Sequence, residues 1–186
     1  MKKEEALAKA TKAAENIIGD YQSYEKLTQP LFDTMATYHA QKNGPLKYIY
    51  FFQCPLGMNG KTKIETNMVL AGQLPETQLF MIKGIGVRLY NTSREVYENF
   101  KYAASIQFLI GSKEYFFENC GECMPPHIED INASDEEKFH AFYPLELPLL
   151  LIELQNFCAT IYWKEEFNPD GIIQVILDGE LYRRYK

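Results

Sequence analysis

From Pro45 onward the apolar residues return at every second position, a period that sends alternate side chains of an extended chain to opposite faces. Ile64, Thr66, Met68 and Leu70 alternate with Lys63, Glu65, Asn67 and Val69, and Lys47 to Gln53 is almost wholly aromatic or β-branched. Leu79, Met81, Ile85, Val87 and Leu89 continue the pattern, with Gly84 and Gly86 where a bulge or the close approach of another backbone is expected. Ala104 to Ile110 turns at Gly111-Ser112 into Glu114 to Phe117, a hairpin. Leu145 to Leu151, Phe157 to Trp163, Ile172 to Leu177 and Leu181-Tyr182 follow, with Asn168-Pro169-Asp170-Gly171 and Asp178-Gly179 read as turns. About eight strands with little helix between them favour a sandwich, barrel or jelly roll over any βαβ fold. The load of 13 Tyr and 12 Phe points the same way, since ring side chains suit a pleated, half-buried surface. The expected core holds Ile64, Met68, Leu70, Met81, Ile85, Val87, Ile106, Phe108, Phe157, Ile161 and Ile176.

The period differs at the N-terminus. Leu7, Ala10, Ala14, Ile17 and Tyr21 fall at helical spacing, and Gly19 supplies a stop, so residues 3 to 18 are predicted to form one amphipathic helix. Its apolar stripe is mostly alanine, which docks weakly on its own domain and suits an assembly arm. A short helix is also predicted around Leu31 to Ala40. The chain therefore divides into an N-terminal helical arm and linker, residues 1 to 44, and a β-sandwich domain, residues 45 to 186. That length fits one core, because domains run about 100 to 200 residues. Glu4, Glu5 and Lys9 interrupt the apolar run that a secretory signal needs, and Leu145 to Leu154 is too short and too charged to cross a bilayer. A soluble chain is expected. The net charge of -6 argues against a surface built to neutralise phosphates. The four cysteines are expected as free thiols, with Cys54 and Cys158 as small core residues on strands.

The segment from Glu118 to Phe142 breaks the strand rhythm with Gly121, Pro125, Pro126 and the run Asp135, Glu136 and Glu137, and it is the longest surface excursion. Inside it lies the sharpest chemical constellation. Cys120 and Cys123, with two residues between them, have the spacing of two thiolates on one tetrahedral zinc, with His127 as a third ligand. No second such pair completes a four-ligand structural site, so two ordinary loop cysteines are the competing reading, and no other cofactor is expected. Gly84-Ile85-Gly86 lacks the third glycine of a dinucleotide loop and sits in a strand pattern. No hydrolase elbow, phosphate loop or zinc-protease motif is present, and His39, His127 and His140 are few for a metal-dependent cupin. Glu65, Glu114, Asp130, Glu146 and Asp178 include enough carboxylates for a glycosidase pair, but each reads better as a solvated residue or, at Asp178, a turn former. Trp163 shares the phase of Phe157, Ala159 and Ile161, which favours core packing over sugar stacking. The tyrosines at outward positions form a plausible contact surface.

Three stretches carry a family resemblance: Asn67 to Pro75 running into Phe80 to Arg88, Gly111 to Tyr115, and Leu177 to Arg183. Together they resemble the jelly-roll major capsid proteins of tailless icosahedral bacteriophages, from about residue 45 to the C-terminus, in strand order and turn chemistry. The resemblance implies a mainly β chain, a single eight-stranded antiparallel jelly-roll sandwich with an N-terminal α-helix, and no catalytic residues. It further implies a structural virion protein, assembled in the host cytoplasm, that self-associates into a symmetric shell and meets other virion proteins. Contact with an internal membrane or the packaged genome belongs to that expectation; a small-molecule substrate does not. A carbohydrate- or receptor-binding sandwich and a small cupin-like enzyme share the architecture, because fold alone does not fix function.

Overall fold

The computed structural model describes Lys12, Asn16 and residues 24–36, 48–91, 104–117, 143–163 and 171–184. Apart from Lys12 and Asn16, which stand in helical conformation, the helix expected over residues 3 to 18 lies outside the described residues, as does the excursion from Glu118 to Phe142. The described residues form a mainly β, sandwich-like structure of two antiparallel sheets. The first sheet contains β1 (Tyr24–Leu27), β2 (Leu31–Ala36), β4 (Gln78–Asn91), β7 (Tyr143–Leu151) and β9 (Gly171–Arg184). The second contains β3 (Tyr48–Phe51), β5 (Ala104–Ile110), β6 (Lys113–Phe117) and β8 (Phe157–Trp163). Strand order is β1-β9-β4-β7 in the first, with β2 also on β9, and β3-β8-β5-β6 in the second.

β1 and β2 fill one edge position in succession, because β1 pairs with Leu181 to Arg184 of β9 and β2 with Ile172 to Leu177. Pro30, with no N–H to donate, stands in the gap between them. The helix predicted around Leu31 to Ala40 is thus corrected to a strand over Leu31–Ala36, and the sheet begins before Pro45, within the segment assigned to the arm. Leu31, Asp33 and Met35 share one face, and a continuous ladder to β9 overrides the local helical pattern.

Between the sheets lies one apolar core drawn from both. Ile49, Phe51, Ile106, Phe108, Phe157 and Ile161 come from the second sheet and meet Phe80, Ile82, Ile85, Val87, Val175 and Leu177 from the first. The Phe157 ring sits 5.5 Å from Phe52 and 6.2 Å from Phe108, both tilted contacts of the kind aromatic quadrupoles favour. The hairpin read from Ala104 to Phe117 is present, with Ile110 opposite Lys113 and Gly111 in the left-handed region at φ 59°.

Several expected core positions are corrected. Lys83 is an extra residue in the β4 ladder, where the register shifts between Ile82 and Gly84, as the glycines there suggested. That bulge reverses the phase of the strand. Phe80 and Ile82 point inward before it and Ile85 and Val87 after it, so Met81 joins a separate cluster with Leu79 and Tyr182. Ile176 is buried but lies outside the main core, on the face opposite Val175 and Leu177. Asp178-Gly179 is no turn: β9 runs straight through it. A Cβ on Gly179 would lie 2.0 Å from the Met81 carbonyl oxygen, so glycine there serves the close approach of β4. Ile64 is 85% exposed and Leu70 36%, because residues 62–70 form turns and isolated bridges instead of a strand. Thr66 N–H donates to the Thr62 carbonyl at 3.1 Å, and this turn swings Ile64 out of phase while Thr66 and Met68 stay buried.

Candidate contact surfaces

Residues 52–77, the β3–β4 connection, carry little regular structure but are pinned at a buried polar node. Asp33 of β2 is fully buried, and its two carboxylate oxygens accept from the Lys61 ammonium and, at 2.7 Å, from the Phe52 backbone N–H. Burial pushes the Asp33 carboxyl above its ordinary value, against the pull of Lys61, the Phe52 N–H and the Thr66 hydroxyl. Phe52 holds a left-handed backbone, φ 67°, which a bulky residue adopts only under constraint. Both its peptide groups supply that constraint, the N–H on Asp33 and the carbonyl accepting from Gly72 N–H at 2.6 Å. Further ties come from Asn67, whose side chain accepts from Phe32 N–H at 3.0 Å and donates to the Pro30 carbonyl at 2.7 Å. With both oxygens of Asp33 engaged, the node acts as a staple between β2 and the connection. It offers no free base.

The outer face of the second sheet is aromatic and carries hydroxyls and amides. Tyr48 and Tyr50 of β3 are 44% and 51% exposed, their rings 5.2 Å apart, and Tyr162 of β8 lies 5.9 Å from Tyr48. Tyr162 donates its hydroxyl to Gln107 at 2.8 Å, which fixes the ring across β5 and β8. Local desolvation, then the neighbouring Tyr48 and Tyr162, hold the Tyr50 hydroxyl above its ordinary range. Cys158 lies on the same strand, and burial pushes its thiol up despite hydrogen bonds that lower it, which makes it a poor nucleophile.

On the outer face of the first sheet, Glu180 receives Lys83 at 2.6 Å, Lys26 at 2.7 Å and the Tyr182 hydroxyl at 2.8 Å. Burial acts to raise its carboxyl, but these hydrogen bonds outweigh it and bring the group from 4.5 down to about 2. Because Lys83 is the bulged residue of β4, the irregularity in the ladder is what aims its ammonium at this carboxylate.

Cys120, Cys123 and His127, the expected zinc ligands, lie outside the described residues, with His39, His140 and Asp130. Among the described residues no group of three or more His, Cys, Asp or Glu is arranged to hold a metal ion. Cys54 and Cys158 are free thiols, and both expected core positions are corrected: Cys158 is on a strand, β8, but only half-buried and outside the core, and Cys54 is half-buried in the turn after β3. Glu65 caps its own turn by accepting from Thr62 N–H at 2.9 Å, Glu114 is exposed on β6, and Asp178 is half-buried in β9. Trp163 ends β8, and Glu146 lies in β7. Among the described residues no helix is long and apolar enough to cross a membrane. In comparison with known proteins, no family model, curated protein or solved structure matches the chain.

Sequence reasoning did not find the Asp33–Lys61 pair. One half of its signal is present, a carboxylate at the inward position between Leu31 and Met35, and it becomes visible only when that stretch is read as a strand. Lys61, in a turn, gives no sign of being buried.

Proposed function

We propose that the chain is a capsid subunit, a single jelly roll that self-assembles into an icosahedral virion shell. The observation that carries the reading is the pattern of strand pairing. With β1 and β2 taken as one edge position, the strands of the described residues occupy eight positions. The first pairs with the last (β2 with β9), the second with the next to last (β3 with β8), then β4 with β7 and β5 with β6. This pairing supports the jelly-roll reading, in which one long hairpin rolls over and its sheets close, here by β4 on β9 and β5 on β8. A shell subunit needs several distinct contact faces, and the apolar connection, the tyrosine face and the sheet edges offer them. Its partners under this reading are further copies and other virion proteins. Sedimentation and negative-stain electron microscopy of the purified chain test it: closed particles of uniform diameter are expected, and a discrete monomer or small oligomer at every concentration would overturn it.

A second reading, a carbohydrate- or receptor-binding sandwich, draws support from the tyrosine face, where Tyr48, Tyr50 and Tyr162 offer rings beside the Gln107 amide. Saturable glycan binding by a discrete monomer or trimer, lost on Tyr50→Ala, is its signature.

A further inference from the structure

We propose that Asp33 and Lys61 are the two ends of an intramolecular isopeptide cross-link, an amide between Lys61 Nζ and Asp33 Cγ that the folded chain closes on itself with loss of one water. The inference is independent of the shell reading. Among the described residues these are the two buried charged residues, Asp33 fully enclosed and the Lys61 side chain 7% exposed, and Nζ is in direct contact with Oδ1. Lys26 and Lys83 on Glu180 give the contrast: their side chains are 54% and 44% exposed, so water keeps that group ionic.

Burial favours the amide. In water an amide hydrolyses because the amine and the acid it releases are solvated as ions, whereas inside the node the ions carry a desolvation cost that a neutral amide largely avoids. Burial already pushes the Asp33 carboxyl above its ordinary value, toward the protonated form from which a hydroxyl can leave. Placement favours it too. Asp33 is fixed opposite Val175 in the β2–β9 ladder and bridged to Thr66, while Lys61 donates its N–H to the Met58 carbonyl at 3.0 Å and accepts from Gly57 N–H at 2.9 Å. Nucleophile and carboxyl therefore meet without a search, equivalent to an effective molarity on the order of 10⁵ M or more. The third feature is the Phe52 N–H, which donates to Oδ2 at 2.7 Å, where a donor stabilises the charge that develops on oxygen during attack at a carboxyl carbon. A left-handed backbone at φ 67° presents that donor, and such strained conformations of bulky residues collect at functional sites.

Atoms and charges balance within the pair. One proton passes from the Lys61 ammonium to Oδ1, giving an amine and a carboxylic acid. The Nζ lone pair attacks Cγ, and negative charge collects on Oδ2 against the Phe52 N–H. A second proton moves from Nζ to the Oδ1 hydroxyl, the Cγ–Oδ1 bond breaks, and Oδ1 departs as water while Cγ and Oδ2 become the amide carbonyl. The new bond fastens β2 of the first sheet to the β3–β4 connection and closes a loop that contains β3 of the second sheet. Chain in which the bond has not closed holds the ion pair, and the titration of Asp33 belongs to that form.

The test holds the purified chain folded in native buffer for several days, then denatures it for intact-mass spectrometry and digestion with trypsin. The expected mass is lower than the sequence mass by one water, and the digest contains a branched peptide joining residues 27–42 to residues 48–63, since trypsin does not cut after an acylated Lys61. Lys61→Arg keeps the positive charge without a nucleophilic amine and stays at its full sequence mass, as does wild-type chain kept unfolded in urea. Folded wild-type chain that remains at full sequence mass overturns the inference. Loss of water with the two peptides recovered unlinked also overturns it, and assigns the dehydration to cyclisation at an Asp-Gly step such as Asp170-Gly171.

Discussion

Replacing Lys61 by Met removes the ammonium from the node and leaves the carboxylate of Asp33 in place, fully buried, with the Phe52 N–H at 2.7 Å and the Thr66 hydroxyl still acting on it. Breaking a buried pair from one side costs about 3 to 5 kcal/mol, since the abandoned charge keeps its desolvation penalty and loses its compensation. In a domain of this size that is a fall in melting temperature of roughly 10 °C. The double variant Asp33→Asn/Lys61→Met behaves differently. Asn still accepts from Phe52 N–H, no charge is buried, and most of the stability returns. The pH dependence follows from the raised Asp33 carboxyl. Between its unfolded value near 3.8 and its higher folded value the native state binds the extra proton, so stability falls as pH rises through that window. Losing Lys61 raises the folded value further, so the deficit of Lys61→Met is greatest near neutrality and shrinks as pH falls toward 3.8. Urea unfolding at neutral and mildly acidic pH measures both effects. A loss below about 1 kcal/mol, or a double variant as unstable as the single one, refutes the argument.

Gly179→Ala places a methyl group 2.0 Å from the Met81 carbonyl, so β4 and β9 must separate there; destabilisation of more than about 2 kcal/mol is expected, and wild-type unfolding would contradict the close approach. Glu180 has its carboxyl lowered from 4.5 to about 2, so its stabilisation is present above 4.5 and is lost as pH falls through about 2. Fully counted this is about 3 kcal/mol, but Lys26 and Lys83 are 54% and 44% exposed, and about 1 to 2 kcal/mol survives screening. Glu180→Gln accordingly loses that much at neutral pH and flattens the acid limb of the stability curve, and an unchanged acid limb would show that the lysines do not hold the carboxylate. Protein purified without chelator, measured for metal, decides the sequence-based zinc expectation: stoichiometric zinc lost on Cys120→Ser supports Cys120, Cys123 and His127 as ligands, and its absence removes the site.

Much of the sandwich was legible because a buried sheet face writes a period of two into the chain, as in the β5–β6 hairpin and in β8, whose bounds match the sequence reading. Legibility failed where three-dimensional contacts override local pattern. The bulge at Lys83 exchanges the faces of β4 midway, so Met81 and Ile85 share a phase in sequence yet face opposite ways. Gly179 looks like a turn because a glycine required by a neighbouring backbone and one required by positive φ are the same letter. β2 was missed because its ladder partner is β9, at the far end of the chain. The candidate contact surfaces were half legible. Outward tyrosines follow from the alternation, but Ile64 sits on the inward phase by count and reaches water only through the turn closed between Thr62 and Thr66.

The central claim, that this chain is a shell subunit built as one rolled-over hairpin, is tested most directly by electron cryo-microscopy of the purified, concentrated protein. The account predicts closed particles with icosahedral symmetry whose repeating density accepts the two-sheet sandwich. Unassembled monomers under conditions where the chain is folded, or a symmetric particle whose subunit density cannot hold the β1/β2-β9-β4-β7 and β3-β8-β5-β6 sheets, would contradict it.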